Sequence, residues 1–112
     1  ELARVAAWVS RGQHDIDRFF DKRTAKVKGN AARGKAVFQT VCAACHGFDG
    51  RTLNWGTKDE PAYIGTEASQ LPHELLHKIR NSHPGAAMVN LRALPLSDAI
   101  DVLAYTQSLP VK

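Results

Sequence analysis

Apolar positions recur along this chain at helical spacing. Leu2, Val5, Ala6 and Val9 fall at i, i+3, i+4 and i+7, one stripe of a short helix. Gly12 and Gln13 interrupt it, and Ile16, Phe19 and Phe20 form a second apolar cluster that predicts a further helical turn or two. Lys22 to Gly29 is polar and basic and reads as a connection. A helix start follows, with Asn30 as candidate N-cap before Ala31 and Ala32. Gly34, Phe38, Val41, Cys42 and Cys45 then share one face, and Gly47 stops the helix just past His46. Residues 47–70 lose the period and are punctuated by Gly47, Gly50, Gly56, Pro61 and Gly65. A run that long stays ordered only by wrapping something. Leu71, Leu75, Leu76 and Ile79 mark a helix over 71–82, with Pro72 in its first turn and His83-Pro84-Gly85 at its end. Met88 through Leu96 reads as a short loop. Ser97 is the next candidate N-cap, and Asp98 and Asp101 suit the positive end of a helix. Ile100, Leu103 and Ala104 carry that last helix, which Pro110 closes. Nothing alternates like a strand, so the pattern predicts an all-α fold.

Composition narrows the setting. With 112 residues, 44% hydrophobic and 23% charged, the chain predicts one globular domain and excludes disorder. No charge-free stretch approaches a membrane span, and Glu1 does not open a signal peptide; a targeting segment removed earlier is compatible with both. A chain this small buries only about two-thirds of its unfolded surface, a deficit that a large buried cofactor would fill. The net charge of +4 is uneven: residues 1–35 hold nine Lys/Arg against four Asp/Glu, residues 36–112 six against seven. Lys22, Arg23, Lys26, Lys28, Arg33 and Lys35 follow one another with no acid between them. They read as a solvated basic face or as a docking surface for an acidic partner. Nucleic acid is not expected, because neither interleaved aromatics nor a binding motif accompanies them.

The chemistry sits in Cys42-Ala43-Ala44-Cys45-His46, a C-x-x-C-H motif that reads as a c-type haem attachment. Two cysteines three apart on a helix point the same way, so both sulfurs can add to the vinyl groups on one haem edge. The histidine shares that face and can reach the iron. Three rivals carry less. A redox dithiol opens a helix after a strand, whereas this motif ends a helix. A zinc site needs four ligands, and no second pair is present. Inert thiols in a chance motif are the blandest alternative.

Gly34 and Phe38 ahead of the motif, the His83-Pro84-Gly85-Ala86-Ala87-Met88 stretch, and the ending from Leu96 to Tyr105 together resemble the small, single-haem class I cytochrome c family, bacterial type. The resemblance covers roughly residues 30–110. It implies a cytochrome c fold with helices packed around one covalently bound haem c and its iron, and with the first and last family helices crossing where Gly34 and Phe38 meet Tyr105. Residues 1–29 would be an N-terminal helical extension and 30–112 the cytochrome c domain. The extension is too apolar to stay solvated, and is expected to pack on the domain or against another chain. Within the family pattern His46 and Met88 are the axial metal ligands, with His73, His77 and His83 as rivals to Met88. Pro61 is the candidate acceptor for the second ring N–H of His46, a plain turn proline being the alternative. Arg51, Trp55, Tyr63 and Arg80 are candidate haem-propionate donors, each also readable as a surface or packing residue.

The expected function is one-electron transfer, shuttling electrons between larger redox proteins through transient interfaces. A His/Met pair leaves no open site and raises the potential. No enzymatic activity is expected. Two alternatives stand beside this: a haem domain serving as the port by which electrons enter or leave a larger redox enzyme, and a ligand-binding or catalytic haem protein with a labile methionine. The resemblance further implies a location outside the cytoplasm, in a periplasm or its equivalent. Partner, pathway and oligomeric state are open at this level.

Overall fold

The structure, a computed structural model, describes residues 18–82 and 91–112. The stripe from Leu2 to Val9, Ile16, and the stretch from His83 through Met88 lie outside the described residues. Five α-helices are described: α1 (Ala31–Val37), α2 (Ala43–His46), α3 (Ile64–Gln70), α4 (Pro72–Asn81) and α5 (Leu96–Thr106). A π-helical turn, Phe38–Cys42, joins α1 to α2. The fold is all-α, as the periodicity predicts.

Asn30 caps α1 as expected, its side chain accepting from the Arg33 N–H at 3.1 Å. Gly34 then makes the central crossing possible, since a Cβ there would overlap the Asp101 carbonyl of α5. The Asp101 carboxylate reinforces the crossing by accepting from the Asn30 N–H at 2.8 Å. One turn on, the fully buried Phe38 ring lies 5.4 Å from Tyr105 at an interplanar angle of 56°, a favourable tilted pair. Leu75, Leu76 and Ile79 of α4 share the core with Ile100, Val102 and Leu103 of α5, closed by Leu91 and Leu109.

Three local expectations change. α5 begins at Leu96 with Pro95 as its N-cap, so Ser97 sits inside the first turn; the proline ring fixes the entry angle instead. The run over 47–70 is not wholly irregular, because α3 starts at Ile64. There the Thr66 hydroxyl accepts from the Tyr63 N–H at 3.1 Å and donates to the Val111 carbonyl at 2.6 Å.

The third change concerns the N-terminal extension, which over residues 18–29 is a tight hairpin rather than helix. Phe20 and Val27 form an antiparallel bridge. The Asp21 carboxylate accepts from the Arg23 and Thr24 N–H groups at 2.8 and 3.2 Å. Those bonds, the Arg23 one foremost, hold its carboxyl below the usual carboxylate range. Phe20 is buried and stacks on His73 at 4.0 Å. Gln107, just past α5, clasps the hairpin: its Oε1 accepts from the Val27 N–H at 2.9 Å, and its Nε2 donates to the Ala25 and Ala68 carbonyls, each at 3.1 Å. Lys22, Arg23, Lys26 and Lys28 stand exposed on this hairpin.

Candidate functional site

The C-x-x-C-H motif occupies the end of the helical run that starts at Asn30. The Ala43 N–H bonds back five residues to the Phe38 carbonyl, which widens one turn immediately before the motif. That extra residue turns the motif relative to α1. The three side chains therefore differ in setting: Cys42 is half-buried, Cys45 is exposed and His46 is 7% exposed. Gly47, at φ 81°, ends α2 in a conformation that suits a residue without a side chain. The chain turns back at once, and the Thr52 N–H donates to the His46 carbonyl at 3.0 Å.

Cys42 and Cys45 are not joined in a disulfide. Burial, with the neighbouring Cys45 thiol adding to it, pushes the Cys42 thiol up to about 11. A redox dithiol needs the opposite shift. The His46 imidazole is held below its ordinary range, chiefly by burial, with the Glu67 carboxylate opposing. Its ring centroid is 6.5 Å from that of Phe38 and 5.9 Å from that of Trp55. Among the described residues, one buried side-chain polar atom has no hydrogen-bond partner, and it is His46 Nδ1. A buried ring nitrogen in that condition calls for an acceptor or a ligand.

The structure brings some of the other predicted residues together and sends others elsewhere. Trp55, 55% exposed, tilts against His46. Pro61 is half-buried at the far side of the same loop, where the Trp55 N–H donates to the Ala62 carbonyl at 2.8 Å. Tyr63 is half-buried at the start of α3. Arg51 is engaged by the C-terminal tail, its Nε donating to the Lys112 main-chain oxygen at 3.1 Å, and lies 3.8 Å from Asp49. Arg80 is half-buried in the last turn of α4. Met88 and His83 fall outside the described residues. His73 stacks on Phe20 and His77 Nδ1 meets Asn81 Nδ2 at 3.3 Å, so both serve local packing.

Three features escaped the sequence reading. Phe48 and Leu53, 68% and 40% exposed, add apolar surface close after the motif. Glu67 is near enough to act on His46, and itself meets Lys78 Nζ at 2.6 Å. Asn54 organises the loop that carries Trp55 and Pro61. The apolar residues amid glycines after the motif were the one visible signal; the other two depend on contacts remote in sequence.

No described helix is long and apolar enough to cross a membrane. The family model described as cytochrome c oxidase, cbb3-type, subunit III matches residues 29–105. No curated protein and no solved structure matches the chain. The matched segment runs from the foot of the hairpin to Tyr105, and so takes in the Gly34 crossing, the motif and most of α5. The chain belongs to the c-type cytochrome family of that subunit III model, whose domains hold a covalently bound haem c and its iron for electron transfer.

Proposed function

We propose that this chain is a one-electron carrier in which Cys42 and Cys45 tether the haem edge, His46 holds the iron from one side and Met88 from the other. The observation that carries the reading is His46: a buried imidazole whose Nδ1 has no hydrogen-bond partner, directly after two cysteines that form no disulfide. The donor set fits haem c. Two thiols supply two thioether links, an imidazole suits iron, and the apolar side chains of Phe48, Leu53 and Trp55 stand exposed around the motif, where a porphyrin would cover apolar surface. When bound, the haem supplies a reversible single-electron iron couple.

The chain's own residues prepare that role. Burial keeps the His46 imidazole neutral, which is the form that binds a metal. The structure gives His46 Nδ1 no hydrogen-bond partner. In this reading an acceptor reached by Nδ1–H, for which the Pro61 carbonyl remains the candidate, would fix the tautomer and leave Nε2 for the iron. Trp55, Tyr63 and Arg80 remain candidate propionate donors. Arg51 is also a candidate, although its bond to Lys112 sets it a competing task. A methionine in the sixth position closes the iron to small ligands, so the chain relays electrons without turning over a substrate. Its partners are larger redox proteins met briefly, outside the cytoplasm.

Mass spectrometry with a redox-titrated visible spectrum tests this. One covalent haem is expected, absent in the Cys42→Ala/Cys45→Ala double variant. Haem still covalently held in that variant would overturn the reading. Met88→Ala should remove the sulfur-to-ferric-iron charge-transfer band; an unchanged band would pass the sixth position to a histidine. Carbon monoxide should leave the native ferrous spectrum unaltered. Ready uptake would instead favour a ligand-binding haem protein.

A further inference from the structure

The hairpin over 18–28 is held from its inner side and leaves its outer face to cations. Its turn closes through main-chain bonds: Asp21 N–H to the Lys26 carbonyl and Ala25 N–H to the Asp21 carbonyl, both at 2.8 Å, and Lys28 N–H to the Phe19 carbonyl at 2.6 Å. Ala25 sits at φ 58°, in the left-handed region that alanine rarely adopts. Gln107 clamps it there through the Ala25 carbonyl. Phe20 is buried, and Phe19 packs half-buried on the core with the Arg18 guanidinium 4.8 Å from its ring centre. Lys22, Arg23, Lys26 and Lys28 are exposed.

No acid follows Asp21 in the sequence until Asp49. The Asp21 carboxylate is itself taken by the Arg23 and Thr24 N–H groups, and Lys28 also draws on it. Elsewhere among the described residues the acids pair with other cations: Asp98 and Asp101 with Arg33, Asp49 with Arg51, Glu67 and Glu74 with Lys78. None of the four hairpin cations forms an ion pair among the described residues. Such a face calls for an anionic surface, and its composition says which kind. The centres of protein interfaces are poor in lysine and built on aromatic or arginine anchors seated in pockets. Here three of the four cations are lysines, and Thr24 and Ala25 are what stands between them at the turn. Both phenylalanines are spent on the core. A layer of phosphate headgroups needs charge without matching shape, and suits this face. We propose that the hairpin rests on an anionic lipid surface through Lys22, Arg23, Lys26 and Lys28. The helical run from Asn30 to His46 carries the chain roughly 24 Å from the hairpin to the motif by helical rise. Lipid contact at the hairpin therefore leaves the motif, Phe48 and Trp55 clear for a redox partner. Each cation contributes about fivefold in partitioning, so the attachment is reversible.

The test uses the full haem-loaded chain, floated with vesicles of phosphatidylcholine alone or with a rising fraction of phosphatidylglycerol. Binding should appear with the anionic lipid and weaken as salt is added. Lys26→Gln/Lys28→Gln should lower partitioning by about twenty-five-fold, two charges at about fivefold each. Lys58→Gln/Lys112→Gln removes the same net charge on the motif side, where residue 58 follows Trp55 in its loop and residue 112 lies against Arg51, and should alter binding little. On the vesicles, Lys22, Lys26 and Lys28 should resist acetylation while Lys58 and Lys112 stay reactive. Equal partitioning to both lipid compositions would overturn the proposal. So would equal losses in the two double variants, which would reduce the effect to net charge, or hairpin lysines that acetylate as fast on vesicles as off them. Binding to immobilised polyglutamate without binding to the vesicles would assign the face to an acidic protein and overturn it as well.

Discussion

Lys78 sits where α3 and α4 meet, about a quarter exposed, with its ammonium 2.6 Å from Glu67 and 3.6 Å from Glu74. The bond to Glu67 holds the Lys78 pKa above the ordinary lysine range. A folded pKa above the unfolded one contributes stability below the unfolded value, and that stability is lost as pH rises through the folded value. Lys78→Met should therefore cost about 1 kcal/mol at pH 7, and the difference from wild type should shrink as the pH is raised past the ordinary lysine range, read by denaturant melts. Asp21 has the opposite sign. Its carboxyl is depressed by the Arg23 and Thr24 N–H groups, so its contribution is complete above the unfolded carboxylate value and fades as pH falls through the folded one. Protection of the Arg23 and Thr24 amides, taken relative to their intrinsic exchange rates, should fall as the pH drops below the ordinary carboxylate range, and Asp21→Asn should remove most of that acid step. The Lys78–Glu67 partnership was not legible in advance. Lys78 and Glu67 are eleven apart in sequence, beyond any helix period, whereas Asn30 capping Arg33 is a three-residue relation that the sequence displays.

Among the elements, the α1–α5 crossing bears most directly on the site, because α1 leads through the π-helical turn into the motif. Gly34→Ala forces a methyl onto the Asp101 carbonyl, and a buried main chain yields little. A loss on the order of 3 kcal/mol is expected in thermal or denaturant melts of the haem-loaded protein. The family resemblance carried in part by Gly34, Phe38 and the ending at Tyr105 implied this crossing, and the structure has Gly34 against Asp101 and Phe38 against Tyr105. α3 gave no such notice. Seven residues are too few for a hydrophobic period, and Pro61 and Gly65 bracket its start with the marks of a loop. Its determinant is the Thr66 hydroxyl, bonded to Tyr63 on one side and to Val111, forty-five residues away, on the other. The motif itself was plain in the sequence, but the unequal exposure of its cysteines was not, because a π-turn shifts the helical face without any residue signature.

For the molecule as a whole, the hairpin over 18–28 acts as an added wall on the family domain. Its described part packs on the same chain, through Phe20 against His73 and through Gln107. Phe20→Ala should cost about 3 kcal/mol, measured by the same melts. Gln107→Ala should cost less, yet raise exchange at the Val27 amide selectively. The sequence signalled that Phe19 and Phe20 needed burial, but a helical period was the wrong frame for them. Asp21 and Gln107 decide the shape, and the latter lies eighty residues from the strand it holds.

That distance has a kinetic meaning. The Val27–Gln107 bond closes a loop of eighty residues, for which the loss of chain entropy costs about 4 kcal/mol if the intervening chain is still slack. Once α1 and α5 have crossed, the same two groups are already neighbours and the closure is nearly free. The hairpin should thus dock last during folding and detach first on unfolding. A species with its clasp open and its helices intact is the expected first departure from the native state, seen as early exchange of the Val27 and Lys28 amides ahead of those in α1.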